Sequence, residues 1–145
     1  MELMIFNFLG GNYAINLQKI KAILVYSQVH ITPIHDEQPW ISGLINLRGE
    51  VAPVVDLRVR FSDEQPEFGT DTVIIIVKTS EDKLIGITVD KIESIKEIDD
   101  TQLSPAPELG VSIDPKYIIG LFKIDENELL TILDIDKILE IKELK

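Results

Sequence analysis

The sequence predicts a mainly β protein that consists of two copies of one small unit, and three observations support this prediction. Short runs rich in Ile, Val, Phe and Leu occur along the chain, with turn residues at their ends. Blocks of sequence recur in the same order in the two halves. Helical periodicity is brief, so we expect no long helix to organise the fold.

The strand runs carry β-branched and aromatic residues at a density that favours pleated structure. They end near Gly-Gly-Asn, Ser-Glu-Asp and Asp-Glu-Asn clusters, which are typical of turns. The clearest runs are "LMIFNFLG", "TVIIIVKT", "KLIGITVD" and "NELLTILDI". Several short strands at close spacing predict small antiparallel sheets or barrels.

Two segments have helical spacing over a few residues. "NLQKIKAIL" begins at Asn16 and "DIDKILEI" begins at Asp134, and each places apolar residues three or four positions apart. Asn16 and Asp134 are suitable N-cap residues. The sequence therefore predicts short helical segments at these places, the second being a short C-terminal helix.

The internal repeat is visible when the halves are aligned. "AINLQKIKAI" from Ala14 matches "GITVDKIESI" from Gly86, 72 positions later, and "WISGLINL" and "EVAPVVDL" match "YIIGLFKI" and "ELLTILDI". We expect copy one to span about 12–62 and copy two about 70–140, with an exposed linker over 61–71. An N-terminal strand at 2–9 is expected to pack with either copy. Units of about 70 residues are marginal alone, so the copies should share one core and leave a groove at their junction.

Composition excludes several classes of function. The chain has 145 residues, of which 45% are hydrophobic, and a formal net charge of −11 from 14 basic and 25 acidic residues. Without a basic cluster in the sequence, nucleic-acid binding lacks its usual electrostatic drive. The longest apolar run, 73–77, is too short to span a bilayer, and the first residues do not resemble a signal peptide. The absence of cysteine excludes disulfides and thiolate sites, and a cytoplasmic protein is expected.

No catalytic, metal or cofactor site is predicted. The two histidines, His30 and His35, are five residues apart with Pro33 between them, which does not fit a helical ligand pair. The serines form no recognisable set of nucleophile, base and orienting group, and the acidic residues are mostly scattered among lysines. The glycine turn in "FLGGN" lacks the GxGxxG spacing and a Walker lysine, so it gives only weak support for phosphate binding.

The stretch "GLINLRGEVAPVVDLR" is the most distinctive in the chain. Arg48-Gly49 separates two strand runs and predicts a two-residue hairpin, with Gly49 supplying a positive φ. Arg48 is either a charge that keeps the hairpin tip soluble or a guanidinium that faces a partner's carboxylate or carbonyl groups. The repeated isoleucines, Ile20 and Ile23 with Ile92 and Ile95, are either core residues or part of an interface.

This stretch resembles the signature of the chemotaxis coupling protein family, usually called CheW, which has the pattern G-x-x-N-L-R-G-x-x-x-P-(V/I)-(V/I)-D-L-R. The similarity extends to "IFNFLGGNYAINLQKIKAI", "VIIIVKTSEDKLIGITVDKIESI", "LSPAPELG" and "YIIGL", and so covers nearly the whole chain. The resemblance implies two SH3-like five-stranded β-barrels around a shared core.

The resemblance also implies an adaptor without enzymatic activity. Its expected partners are the regulatory domain of a chemotaxis histidine kinase and the cytoplasmic tip of methyl-accepting chemoreceptors, with no nucleic acid, no membrane insertion and no cofactor. The second barrel is expected to provide most of the kinase contact. The expected receptor-binding groove comprises Ile20, Ile23, Asn46, Arg48, Gly49, Gly86, Ile92 and Ile95.

One residue departs from the family pattern. The family commonly has a glutamate near the signature arginine at the position of Ala22. Arg48 is therefore expected to pair with another carboxylate, such as Glu50 or Asp56, or to await one from a partner. An alternative function, from a different class, is a small-ligand-binding or catalytic β-barrel that uses the groove between the two halves.

Overall fold

The computed structural model describes residues 1–34, 38–62, 65–105 and 113–139. Strands dominate this part of the chain, and the helical pieces are one turn long. In chain order, the strands and helices are β1 (Glu2–Phe8), β2 (Gly11–Asn16), β3 (Ile20–Val25), β4 (Ile41–Leu47), β5 (Glu50–Asp56), α1 (Leu57–Arg60), β6 (Val73–Lys78), β7 (Leu84–Val89), β8 (Lys91–Glu97), β9 (Ile118–Lys123), β10 (Leu129–Leu133) and α2 (Ile135–Ile138). Short 3₁₀ turns cover Leu17–Lys19, Tyr26–Gln28, Asp100–Gln102 and Pro115–Tyr117.

The strands form two five-stranded sheets. Sheet one has the order β3-β6-β7-β5-β4, and sheet two has the order β8-β1-β2-β10-β9. Most neighbours are antiparallel, but β5 pairs with β7 and β10 pairs with β2 in parallel. The mainly β architecture with two five-stranded sheets and short helices is confirmed.

The sheets divide the chain differently from the expected copies at 12–62 and 70–140. Sheet one combines β3, β4 and β5 from the first half with the β6–β7 hairpin from the second half. Sheet two combines β8, β9 and β10 with the β1–β2 hairpin. Each half thus gives its first hairpin to the sheet of the other half, and β1 pairs with both β2 and β8.

Equivalent hydrogen bonds show that the two halves repeat the same backbone pattern. Thr32 and Leu44 exchange backbone hydrogen bonds of 2.8 Å, as Ser104 and Leu121 do at 2.8 and 2.7 Å. The Trp40 carbonyl accepts the backbone N–H of Asp56 at 2.8 Å, and the Tyr117 carbonyl accepts that of Asp134 at the same distance. The two rings therefore occupy equivalent corners, each just before the fourth strand of its copy.

Strands β1 and β6 are buried on both faces, which explains their continuous apolar sequence. In β6, Ile74 and Ile76 pack into a cluster inside sheet one, while Ile75 and Val77 face a cluster shared by both sheets. In β1, Leu3 and Ile5 pack inside sheet two, and the alternate residues Met4, Phe6 and Phe8 join the shared cluster. The shared core holds the two sheets together.

The predicted helix that begins at Asn16 is wrong beyond its first turn. The Asn16 side chain does cap a 3₁₀ turn by accepting the Gln18 N–H, but Ile20–Val25 form β3. Pairing with β6 decides the outcome, because tertiary hydrogen bonds outweigh a weak local helical preference. The predicted helix at the other site is confirmed over Ile135–Ile138, with the Asp134 side chain accepting the Lys137 N–H.

Two polar clusters at equivalent places of the repeat connect the one-turn helices α1 and α2 to the exchanged hairpins. In the Arg58 cluster, the guanidinium of α1 contacts Asp56 and also Asp90, and Asp90 accepts the backbone N–H of Leu9 in the β1–β2 turn. In the Asp136 cluster, the carboxylate of α2 contacts Lys19 and accepts the backbone N–H of Ser80 after β6. Arg58 and Asp136 are 78 positions apart, as are Asp56 and Asp134, so they are equivalent residues of the repeat. Each connects its one-turn helix to a hairpin, but one carries a positive charge and the other a negative charge.

Candidate functional site

The Arg48-Gly49 hairpin has the geometry that the sequence predicts. Leu47 pairs with Glu50, and the two residues between them have φ values of 49° and 89°, which define a type I′ turn. The Asn46 side-chain oxygen accepts the Gly49 N–H at 2.9 Å and closes the turn. Asn46 therefore holds the loop in shape and sets where the Arg48 side chain begins.

Arg48 is exposed at the tip of this hairpin. Within the ranges that the structure describes, its guanidinium makes no hydrogen bond or ion pair. The expected partnership with Asp56 is wrong, because Asp56 is buried and its carboxylate binds Arg58. Pairing of Arg48 with Glu50 is likewise not observed. The five N–H donors of Arg48 are therefore available to an external acceptor.

Arg58 is the residue of the signature whose role was not predicted. Its side chain is 2% exposed, donates from Nε and Nη2 to Asp56 at 2.9 and 2.8 Å, and donates from Nη1 to Asp90 at 2.8 Å. The Phe68 ring lies 4.7 Å from the guanidinium carbon. The Asp-x-Arg spacing at 56–58 is the one sequence signal for this pair. The second arginine of the signature is thus structural, and the first is the exposed one.

Burial and the Asp56 carboxylate together raise the pKa of Tyr26, which stacks on Phe68 with ring centroids 4.3 Å apart. Desolvation opposes the charge of Arg58, but its carboxylate partners outweigh that effect and raise the pKa of the guanidinium. Arg58 and Asp56 of this cluster are buried, whereas the Asp90 side chain is 41% exposed.

The four isoleucines lie on β3 and β8, which are edge strands of different sheets. Ile20 and Ile92 are half-buried and both pack against the shared core. Ile23 and Ile95 are their exposed neighbours, with 44% and 56% of the residue surface accessible. The equivalent positions of the repeat therefore have equivalent environments, with one isoleucine of each pair facing solvent.

Gly86 was predicted to belong to the receptor-binding groove, and it lies within sheet one. It is buried in β7, and a Cβ atom there would lie 2.8 Å from Cγ2 of Ile74 and 3.3 Å from Cδ1 of Ile76. The glycine allows these side chains to cover the strand inside sheet one. Ala22, at the position of the family glutamate, is half-buried against the same cluster.

No metal-binding group is found in the described part of the chain. No three side chains among His, Asp and Glu there are grouped so that they could hold a metal ion. None of the described helices is long and apolar enough to cross a membrane. His30 is exposed, His35 lies outside the described residues, and so does most of "LSPAPELG".

Comparison with known proteins places this geometry in context. The profile of the CheW-like domain family matches residues 2–143. The chain is 33% identical to the chemotaxis protein CheW of Klebsiella aerogenes over 143 residues, which covers 99% of this chain and 84% of that protein. Identity to the chemotaxis protein CheW of Bacillus subtilis is 33% over 139 residues, covering 96% and 86%.

Among solved structures, the crystal structure of the scaffolding protein TtCheW from Thermoanaerobacter tengcongensis superimposes with a TM-score of 0.85 at 27% identity. The match covers 97% of this chain and 88% of that chain. Sequence and fold therefore agree over nearly the whole length of the molecule.

Proposed function

Because the chain belongs to the CheW-like domain family, we propose that it is a cytoplasmic, non-enzymatic scaffold that couples chemoreceptors to the chemotaxis histidine kinase. The relatives are named as chemotaxis proteins, and the superimposed structure is named as a scaffolding protein. The single observation that carries the proposal is Arg48, a guanidinium displayed on a rigid turn with no acceptor among the described residues.

The receptor contact combines this arginine with the exposed isoleucines of β3 and β8. Complete burial of an isoleucine side chain is favourable by about 1.5–3 kcal/mol. Ile95 is 56% exposed and Ile23 is 44% exposed, so each can gain roughly half of that value when a partner covers it. Ile20 and Ile92 are already half-buried and supply the base of the surface.

The kinase contact is assigned to the β9–β10 hairpin of sheet two, which agrees with the expected use of the second barrel. Leu129, Ile119 and Ile124 are 55%, 49% and 38% exposed there. Leu129 pairs across the hairpin with Lys123, next to Ile124. Large apolar side chains exposed on neighbouring strands favour a protein partner.

Two binding assays test both contacts with the same set of variants. A soluble fragment of a receptor's cytoplasmic tip and the kinase regulatory domain from the same genome serve as separate ligands. We expect Arg48→Ala to weaken receptor binding by about 1–3 kcal/mol, and Ile95→Asp to weaken it at least as much. Both variants should bind the kinase domain normally. Lys78→Ala, which removes another exposed cation, is the matched control for Arg48.

Leu129→Asp should give the opposite result, with kinase binding lost and receptor binding kept. Val51→Asp is its matched control for kinase binding, because Val51 is the equivalent residue in the first half and is 63% exposed. Wild-type protein that binds neither ligand would contradict the proposed function. Arg48→Ala that binds the receptor fragment normally but melts at a lower temperature would show that Arg48 is structural.

A further inference from the structure

A second surface feature is a cavity of about 350 Å³ at the junction of the two halves. Trp40 from the corner before β4 and Tyr117 from the corner before β9 both line it. Val55 and Ile138 add apolar wall, and Gln38 adds an amide. This volume is at the lower end of the range for small-molecule sites.

Three cations line this cavity in a chain whose net charge is −11. Arg60, Lys116 and Lys137 are all among the lining residues, and no described lining residue is acidic. Neither an ion pair nor a hydrogen bond to a carboxylate involves any of the three side chains within the described ranges. Asp114 and Asp134 accept the backbone N–H groups of Lys116 and Lys137 as N-caps, and Asp136, which precedes Lys137, binds Lys19 and Ser80.

Aromatic rings hold the Arg60 guanidinium in place. Its carbon lies 4.8 Å from the Trp40 ring centroid and 5.1 Å from that of Tyr117, and Nη2 donates to the Tyr117 hydroxyl at 2.9 Å. Lys116 Nζ lies 5.0 Å from the Tyr117 ring centroid. One of the five N–H donors of Arg60 is used, and the others have no acceptor among the described residues. Because the rings contact the faces of the guanidinium, its in-plane N–H groups can donate hydrogen bonds to a planar or tetrahedral anion.

The repeat shows that these cations are not required by the fold. The residue equivalent to Arg60 in the second half is Ile138, and Pro39 and Val59 are equivalent to Lys116 and Lys137. At each of these three positions the other half has an uncharged residue, and that half still forms the equivalent backbone hydrogen bond at the corner and the equivalent one-turn helix. The positive charges are therefore specific to this cavity.

From these observations we infer that the cavity binds a small phosphate-bearing molecule. A phosphate monoester carries nearly two negative charges at neutral pH, which three cations can balance, whereas a single carboxylate would leave two positive charges uncompensated. The guanidinium matches two phosphate oxygens, and the two lysines act as point charges. At physiological salt the screening length is about 8 Å, so the remote acidic surface does not cancel the local attraction.

Trp40 is the one tryptophan in the chain, so its fluorescence reports from the cavity wall. The experiment titrates the purified protein with inorganic phosphate and, separately, with phenyl phosphate, while chloride keeps the ionic strength constant. Excitation at a wavelength that selects tryptophan isolates the Trp40 signal. We expect a saturable change with each phosphate probe, and tighter binding of phenyl phosphate if the rings contact an organic group. Stronger binding of inorganic phosphate would assign the site to the free ion.

Variants separate a built site from general ion effects. Arg60→Gln should raise the half-saturating phosphate concentration at least tenfold, and Lys137→Gln should raise it several-fold while leaving the ring contacts of Arg60 intact. Lys123→Gln, an exposed lysine on β9, is the matched control and should behave as wild type. Phosphate should also raise the melting temperature of the wild type more than that of Lys137→Gln.

The inference is overturned if neither probe gives a saturable signal or if acetate gives an equal response. It is also overturned if Lys123→Gln and Lys137→Gln lose affinity equally, because the response would then report net charge. Receptor and kinase binding do not enter this experiment, so its outcome is independent of the proposed scaffold role.

Discussion

Removal of the buried guanidinium in Arg58→Met should cost about 3–5 kcal/mol of unfolding free energy. The substitution leaves the Asp56 carboxylate, whose side chain is 3% exposed, without the two side-chain donors that now face it. A buried charge that loses its partner typically destabilises a protein by that amount. Asp90 also loses a donor, but its side chain is 41% exposed and water can replace the contact.

Urea denaturation measures this effect without adding salt that would screen ion pairs. A loss of 3–5 kcal/mol is a large part of the roughly 5–15 kcal/mol that stabilises a typical domain. For a chain of this size it corresponds to a fall in melting temperature of roughly 10–15 °C. The slope of the unfolding free energy against urea should be unchanged if the native state remains compact.

Asp136→Asn is the matched control, because Asp136 is the equivalent residue in the second half. Its side chain is 33% exposed and that of its partner Lys19 is 30% exposed, so we expect a cost of at most about 1 kcal/mol. Equal costs for the two variants would refute the reasoning that burial decides the difference. A cost below about 1 kcal/mol for Arg58→Met would show that Asp56 is readily hydrated.

The remaining predictions concern Thr88, Gly86 and the pH dependence of the contribution of Asp136. Thr88→Val should raise the unfolding free energy by about 1 kcal/mol, because the Thr88 hydroxyl is buried and has no hydrogen-bond partner among the described atoms. A lower unfolding free energy in urea denaturation would show that the hydroxyl has a partner. Gly86→Ala should lower the unfolding free energy by about 1–3 kcal/mol, because the added methyl group overpacks against Ile74, and receptor affinity should be unchanged. Weaker receptor binding at unchanged stability would instead show that Gly86 belongs to the binding surface. Partial burial opposes ionisation of Asp136, but hydrogen bonds from Ser80 and Lys19 outweigh it and lower the pKa of Asp136. The stability that this carboxylate adds is therefore complete above its ordinary pKa near 4, and it is lost as the pH falls through the lower pKa of the folded state. The difference in unfolding free energy between the wild type and Asp136→Asn should therefore shrink on acidification. A constant difference from about pH 6 to about pH 2.5 would contradict this.

The sequence by itself determined the strands β1, β4, β5, β6, β7 and β10, the repeat and the Arg48-Gly49 turn. These features depend on local chemistry or on similarity between segments, and both can be read along the chain. Continuous apolar runs in β1 and β6 indicate strands covered on both faces, and a glycine after Arg48 suits a turn with two positive φ values. Asn16 and Asp134 act as caps because a cap depends on the next few residues.

Only the tertiary structure decided which segments share a sheet and which charges meet. The exchange of hairpins between the halves cannot be derived from a repeat, because both possible pairings satisfy the same pattern of apolar residues. Residues 20–24 were predicted to be helical, but they form a strand because their backbone pairs with β6. Arg60, Lys116 and Lys137 are far apart in a sequence without a basic cluster, and they line one cavity because the two halves bring their equivalent corners together.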